Sequence, residues 1–412
     1  MNHRRKLFSA GQSFCSLAGC GLFAWVASTT VRESSAVAFR LPNQDPEAIA
    51  RGNAFAATAD NPSAIYYNPA GITQIEGVDI SFGVYAVSAG TKYTSATGAT
   101  AKTDRVFQPV PQAYSVWSPK DSQFSFGLGI YAPYGLGLDW GAVNPFNTLA
   151  HDGKVLYATI NPVVAWQATK TFSIGIGPTI NYSQAKFRRA LPFPGGGFDF
   201  RGDGTDFGFN AGMMWQPCEY VSFGANYRSA TEIEYKGHST LIGAAPRTAT
   251  SGSIRYPQFA VLGMSVRPTP NWNFEFDLDW TDWDNVNQIA FQGTAIPLPA
   301  FVLNYTSGFM YEFGVTRKLP HNYWISAGYF YSENSTPDST YNPIVPDSDL
   351  HLGSIGFGHK GKRWDWAVAY HFATNGDGRT VAGSPPGPSG QTADGRYKTF
   401  NQAVNISAGF KF

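Results

Sequence analysis

The stretch Trp272-Asn273-Phe274-Glu275-Phe276-Asp277-Leu278-Asp279-Trp280 alternates without a break. Trp272, Phe274, Phe276, Leu278 and Trp280 take one side, and Asn273, Glu275, Asp277 and Asp279 take the other. Successive side chains of a strand point to opposite faces, so this segment reads as a strand with an aromatic face and a carboxylate face. A soluble sandwich could carry such a strand once. Here the alternation recurs at Phe124–Ile130, Phe172–Ile176, Val221–Tyr227, Trp364–Phe372 and Val404–Phe412. Apolar residues outward and small or polar residues inward, strand after strand, are what a transmembrane barrel requires.

The connections support the same reading. Short polar turns fall at Ser118–Asp121, Ala168–Lys170, Gln216–Glu219, Arg267–Pro270, Arg317–Pro320 and His359–Lys362. Longer Gly/Ser/Thr/Pro-rich links occupy about 90–105, 132–152, 190–204, 237–252, 285–304, 333–349 and 375–396. Short turns at one end and long loops at the other predict an all-β, antiparallel barrel of about fourteen strands spanning 78–412. The last strand ends on Phe412 and would close against the first, leaving no free edge.

Composition agrees. Of 412 residues, 15% are aromatic and only 14% charged, which is unusual for a soluble enzyme. Mean hydropathy is nevertheless −0.21. After the first forty residues no run is long and apolar enough for a membrane-spanning helix. A net charge of +1 gives no support for nucleic-acid binding.

Two pieces precede the barrel. Arg4-Arg5-Lys6, an apolar stretch from Phe14 to Ala27 and then Ala36-Val37-Ala38 make residues 1–38 a secretory signal. Leu17-Ala18-Gly19-Cys20 offers a competing lipoprotein processing site. Cys15 and Cys20 lie in this leader, so Cys218 is expected to be alone in the mature chain, without an internal disulfide. Residues 39–77 are unlike the strands. The Ala-rich part from Pro46 to Ala57 predicts one short helix, and the Pro-containing steps after it predict tight turns. A compact piece ahead of a barrel predicts a hatch that plugs its lumen.

Glu275, Asp277 and Asp279 would face a wet lumen and hold the hatch through Arg51, with Arg188, Arg189 and Arg201 as further partners. Paired carboxylates could instead be catalytic or bind Ca²⁺. The seven histidines show no transition-metal spacing, and no G-x-S-x-G elbow is present, so neither metal nor cofactor is expected.

Taken together, the chain resembles the FadL family of outer-membrane transporters for hydrophobic compounds, which includes long-chain fatty-acid and aromatic-hydrocarbon transporters. The resemblance rests on Ala38-Phe39-Arg40-Leu41, Ala50-Arg51-Gly52-Asn53-Ala54, the triplet Asn68-Pro69-Ala70 ahead of the first strand, and Tyr131-Ala132-Pro133-Tyr134-Gly135-Leu136 at the end of the third. It implies passive transport in the bacterial outer membrane by a monomeric barrel without enzymatic activity, with lipid and lipopolysaccharide around it. Phe412 would be the signal to the barrel assembly machinery. The resemblance further implies a lateral opening at Pro133, Tyr134 and Gly135, with Phe39 and Leu41 near the ligand. Leu138, Trp140, Phe146, Leu149, Phe193 and Phe198 would form an exposed capture surface on the loops. A general porin, a receptor or adhesin, and a lipid hydrolase remain as alternatives.

Overall fold

Fourteen antiparallel strands form a closed barrel in the computed structural model, which describes residues 38–104 and 106–412. In chain order they are β1 Gly77–Thr94, β2 Val106–Ser118, β3 Phe124–Tyr131 resumed at Gly135–Asp139, β4 Asp152–Thr169, β5 Phe172–Ala190 and β6 Gly197–Cys218. Then come β7 Val221–Arg228 resumed at Thr231–Ile242, β8 Ala245–Tyr256 resumed at Phe259–Thr269, β9 Trp272–Thr281 and β10 Gly308–Lys318. Last are β11 Tyr323–Ser332, β12 Leu350–Lys360, β13 Trp364–Thr374 and β14 Gly395–Lys411. β14 pairs with β1 from Asp79↔Lys411 to Thr94↔Arg396, and closure leaves no edge at this seam. The leader and both of its processing sites lie outside the described residues, apart from Ala38. Among the described residues no helix is long and apolar enough to cross a membrane.

The alternation read from the sequence is the burial seen. Along β9, Trp272 and Phe274 are exposed while Asn273, Glu275, Asp277, Asp279 and Thr281 are buried. Phe82, Ile176, Met213, Leu262 and Ile406 lie exposed on other strands. For a barrel in lipid these outward residues are the buried ones. Near the short turns, Trp117 stacks on Phe126 at 5.6 Å and Phe124 on Trp166 at 6.5 Å, an interfacial girdle.

Three expectations are corrected. The links at 190–204 and 237–252 are mostly strand. β5 runs to Ala190, β6 starts at Gly197, and only residues 243–244 join β7 to β8. These extensions rise beyond the apolar band and carry polar residues outward, so the apolar alternation that marks a strand is lost. The Pro46–Ala57 helix is short. α1 covers only Pro46–Ala50, because Gly52 and Asn53 take positive φ of 62° and 67°. Gly52 is forced by its setting as well, since a Cβ there would lie 2.7 Å from the backbone of Tyr329. The carboxylates of β9 are not wet, because the hatch covers them.

Candidate functional site

The hatch is a folded plug. Asp45 caps α1, accepting hydrogen bonds from the Glu47 and Ala48 amides. Burial, and then the neighbouring Glu47 charge, push its carboxyl up to about 7. A second short helix, α2 (Ala64–Tyr67), leads into a 3-10 turn at Pro69–Gln74. Asn68 is fully buried and works in both directions. Its Nδ2 donates to the Ala56 carbonyl at 2.7 Å and to the Met213 carbonyl of β6 at 2.9 Å, while its Oδ1 accepts from the Ala70 amide. Pro69 starts the 3-10 turn, where its missing N–H costs nothing. Ala70 O accepts from Ser173 Oγ of β5. The triplet Asn68-Pro69-Ala70 therefore fastens the hatch to itself and to the wall.

The acidic ladder of β9 supplies the other fastening. Asp277 Oδ2 accepts from the Phe55 and Ala56 amides at 2.8 and 2.7 Å. Glu275 Oε1 accepts from the Ala57 and Thr58 amides, both at 3.0 Å, and its Oε2 takes Thr58 Oγ1 and Arg51. Arg51 also pairs with Glu47. Asp279 holds Arg40 through two bonds of 2.7 Å, and Arg40 adds Thr281 and lies 3.6 Å above the Phe259 ring. Burial opposes the Arg40 charge most strongly, but Asp279, Tyr66 and Tyr134 together outweigh it and raise its pKa. Arg40 is the partner that sequence reasoning missed. Of the arginines proposed in its place, Arg188 pairs with Asp152, Arg201 with Asp199, and Arg189 lies over Phe301. Arg40 and Asp279 are 239 residues apart, so only the barrel topology brings them together.

Inward glycines make the seat. A Cβ at Gly212 would stand 2.3 Å from Asn68 Oδ1, and one at Gly224 would stand 1.9 Å from the Ala56 carbonyl oxygen. Backbone cannot rotate away, so Gly224→Val should cost about 3 kcal/mol of seating. The expected readout is tryptic cleavage at Arg51, which is buried in the intact protein. Continued protection of Arg51 in this variant would show that the seat can deform.

The hatch N-terminus meets the wall where it is broken. β3 is interrupted at 132–134, where Pro133 brings no donor. The β2–β3 ladder stops at Ala113↔Ile130. Beyond it, the resumed half of β3 pairs with β4 alone, until Asp104 N bonds Asp139 O at 2.8 Å. The facing part of β2 carries Pro109 and Pro111, residues suited to an unpaired edge. The chain from Phe39 to Leu41 fills in from the lumen side. Leu41 N donates to Pro133 O at 2.8 Å, Gly135 N donates to Phe39 O at 3.0 Å, and Arg40 bridges Tyr134. The Phe39 ring packs on Trp283 at 4.9 Å and on Tyr256 at 5.7 Å.

A cavity of about 560 Å³ lies at this meeting point. Phe39, Leu41 and Pro42 of the hatch, Val110 and Pro111 of β2, and Tyr134 and Leu136 of β3 line it. Tyr85, Asn43 and Asn401 are among the polar residues of its wall. The volume and mainly apolar lining suit one small hydrophobic molecule.

Most of the loop residues expected on a capture surface are not exposed. Leu138, Trp140, Phe146 and Phe198 are buried, Leu149 is half-buried, and only Phe193 is exposed. Trp140 and Phe146 pack against each other at 5.0 Å and against Tyr93 and Tyr397 from β1 and β14. The loops pack on one another here, above the mainly apolar cavity.

A family model described as outer membrane protein transport protein (OMPP1/FadL/TodX) matches residues 26–412. The long-chain fatty acid transport protein of Escherichia coli K12 is 22% identical over 352 residues, covering 73% of this chain and 79% of that protein. A 47 kDa outer membrane protein of Pasteurella multocida is 24% identical over 374 residues, covering 81% and 86%. Among solved structures, a Pseudomonas aeruginosa FadL homologue superposes with a TM-score of 0.80 at 18% identity, covering 91% of this chain and all of that one. The Pseudomonas putida toluene transporter TodX gives 0.73 at 17% identity with the same coverage.

Proposed function

The chain belongs to the OMPP1/FadL/TodX family of outer membrane transport proteins, and from that premise we propose a route for its ligand. A hydrophobic compound, a long-chain fatty acid or an aromatic hydrocarbon, partitions into the cavity beneath the extracellular loops. It displaces the Phe39–Leu41 segment from the broken edge of β3. It then leaves sideways between β2 and β3 into the bilayer. The observation that carries this reading is the pairing of the hatch N-terminus with Pro133 and Gly135 beside a cavity that also touches the unpaired part of β2. Two backbone hydrogen bonds, each worth about 1 kcal/mol net, dock that segment on β3 beside the Arg40–Asp279 anchor, so a bound ligand can compete with the docking bonds. Each buried methylene contributes about 0.8 kcal/mol, so transfer down a gradient needs no coupled energy source. No chemical step is assigned to any residue.

The test is uptake of a labelled long-chain fatty acid and a labelled small aromatic hydrocarbon by cells with and without this chain. Faster entry of one compound supports transport and names the ligand class. Equal entry of both, together with steady ionic conductance through the purified barrel, would favour a porin.

A further inference from the structure

Away from the hatch, three lysines stand in a row on the lipid-facing wall. β14 places Lys398 directly opposite Lys92 of β1, and Lys92 is directly opposite Lys102 on the short strand Thr100–Lys102. Opposed residues share a face, with Cβ atoms about 5 Å apart, and like charges placed so repel. All three are exposed, while the alternate residues Tyr93 and Tyr397 turn inward. The lysines that form ion pairs among the described residues are Lys186, Lys236, Lys360 and Lys411; none of this row does. Arg396, exposed two residues above Lys398, adds a fourth cation. A second outward row, Lys154–Lys186–Arg201, differs, because Asp152 and Asp199 already compensate it.

The height of the row is informative. Outward Phe400, Val404, Ile406 and Phe410 mark the apolar stripe of β14. Residues 400–410 at about 3.3 Å each and a tilt of about 40° climb roughly 25 Å, the thickness of the apolar band. Lys398 is the next outward residue, so the row sits at the headgroup level of the outer leaflet. Thr103, next to Lys102, lines the cavity, which puts the row at the rim of the gap between β2 and β3.

We infer that Lys92, Lys102 and Lys398 bind the phosphate of a phosphorylated glycolipid of the outer leaflet. Lysine meets phosphate as a point charge, and a phosphate among three ammonium groups converts their mutual repulsion into attraction. The acyl chains of the same molecule would lie on the apolar stripe directly below. The inference does not depend on what the barrel transports.

Purified full-length protein in neutral detergent would be titrated with bis-phosphorylated lipid A and with its dephosphorylated form, and bound lipid read by native mass spectrometry. Wild-type protein should bind the phosphorylated form far more tightly. The variant Lys92→Gln, Lys102→Gln, Lys398→Gln should bind it about 100-fold more weakly, at roughly fivefold per lysine. Lys154→Gln with Lys186→Gln should bind like wild type. Equal binding of the two lipids by wild-type protein would overturn the inference without relying on any variant. Retention by the triple variant at the wild-type level would also overturn it.

Discussion

Glu275→Ala combined with Asp277→Ala is expected to give a barrel that inserts and closes but conducts ions, because its hatch no longer seats. The two carboxylates accept hydrogen bonds from four consecutive hatch amides, Phe55 to Thr58, and from Thr58 Oγ1 and Arg51. Each buried donor left unpaired costs about 1–3 kcal/mol. Four amides and a guanidinium together reach about 5–10 kcal/mol, which is the size of a domain's whole stability. The strand ladder does not use these groups, so heat-modifiable migration on gels should be kept. Glu275→Gln with Asp277→Asn retains an acceptor oxygen at each position and should stay closed. Deleting 39–71 sets the upper limit, a fully open lumen. Planar-bilayer recordings rank these proteins. If the alanine pair is as silent as wild type, apolar packing of Phe55, Ile65 and Ile72 holds the hatch, and the carboxylates only orient it.

Lipid explains why the barrel could be read from the sequence. The bilayer is one solvent for the outer face of every strand, so each strand repeats the same period-two signal, and Trp272 to Trp280 needs no partner to be understood. Asp277 and Glu275 were legible as inward groups for the same reason. The hatch was legible as a separate piece by its composition and its Asn68-Pro69-Ala70 triplet. Its contacts were less so. Arg51 could be matched with a carboxylate, but nothing near Arg40 points to Asp279, since that pair exists only once the wall is closed. The loops failed differently. Trp140 and Phe146 read correctly as apolar, but exposure depends on Tyr93 and Tyr397, which arrive from the two ends of the barrel chain. Pro109 and Pro111 carried a local signal that was available, two donor-less residues on one edge, and it marks the unpaired side of β2.

Straightening β3 should stop release more completely than any loop change. Pro133→Val restores an amide donor at the break, and Gly135→Val adds a β-branched residue that favours an extended strand. Pro109 and Pro111 bring no donor, so a continuous β3 extends its ladder beyond Ala113↔Ile130 there by donating to β2 carbonyls, at about 0.5–1.5 kcal/mol for each bond formed. The same change withdraws Pro133 O and Gly135 N from Leu41 and Phe39, so the hatch N-terminus loses its dock while the wall loses its gap. Uptake of a labelled hydrophobic compound is expected to fall at least tenfold, roughly the effect of 1.4 kcal/mol on the open state. A Cβ at residue 135 would meet Leu41 Cδ1 at 2.9 Å, so Gly135→Ala alone tests simple crowding. Leu41 ends in flexible methyl groups that can yield, and this single variant should keep most of its uptake. Wild-type uptake by the double variant would mean that ligands leave through the lumen. The Asn68-Pro69-Ala70 fastening, rather than the broken strand, would then have to yield for each molecule that passes.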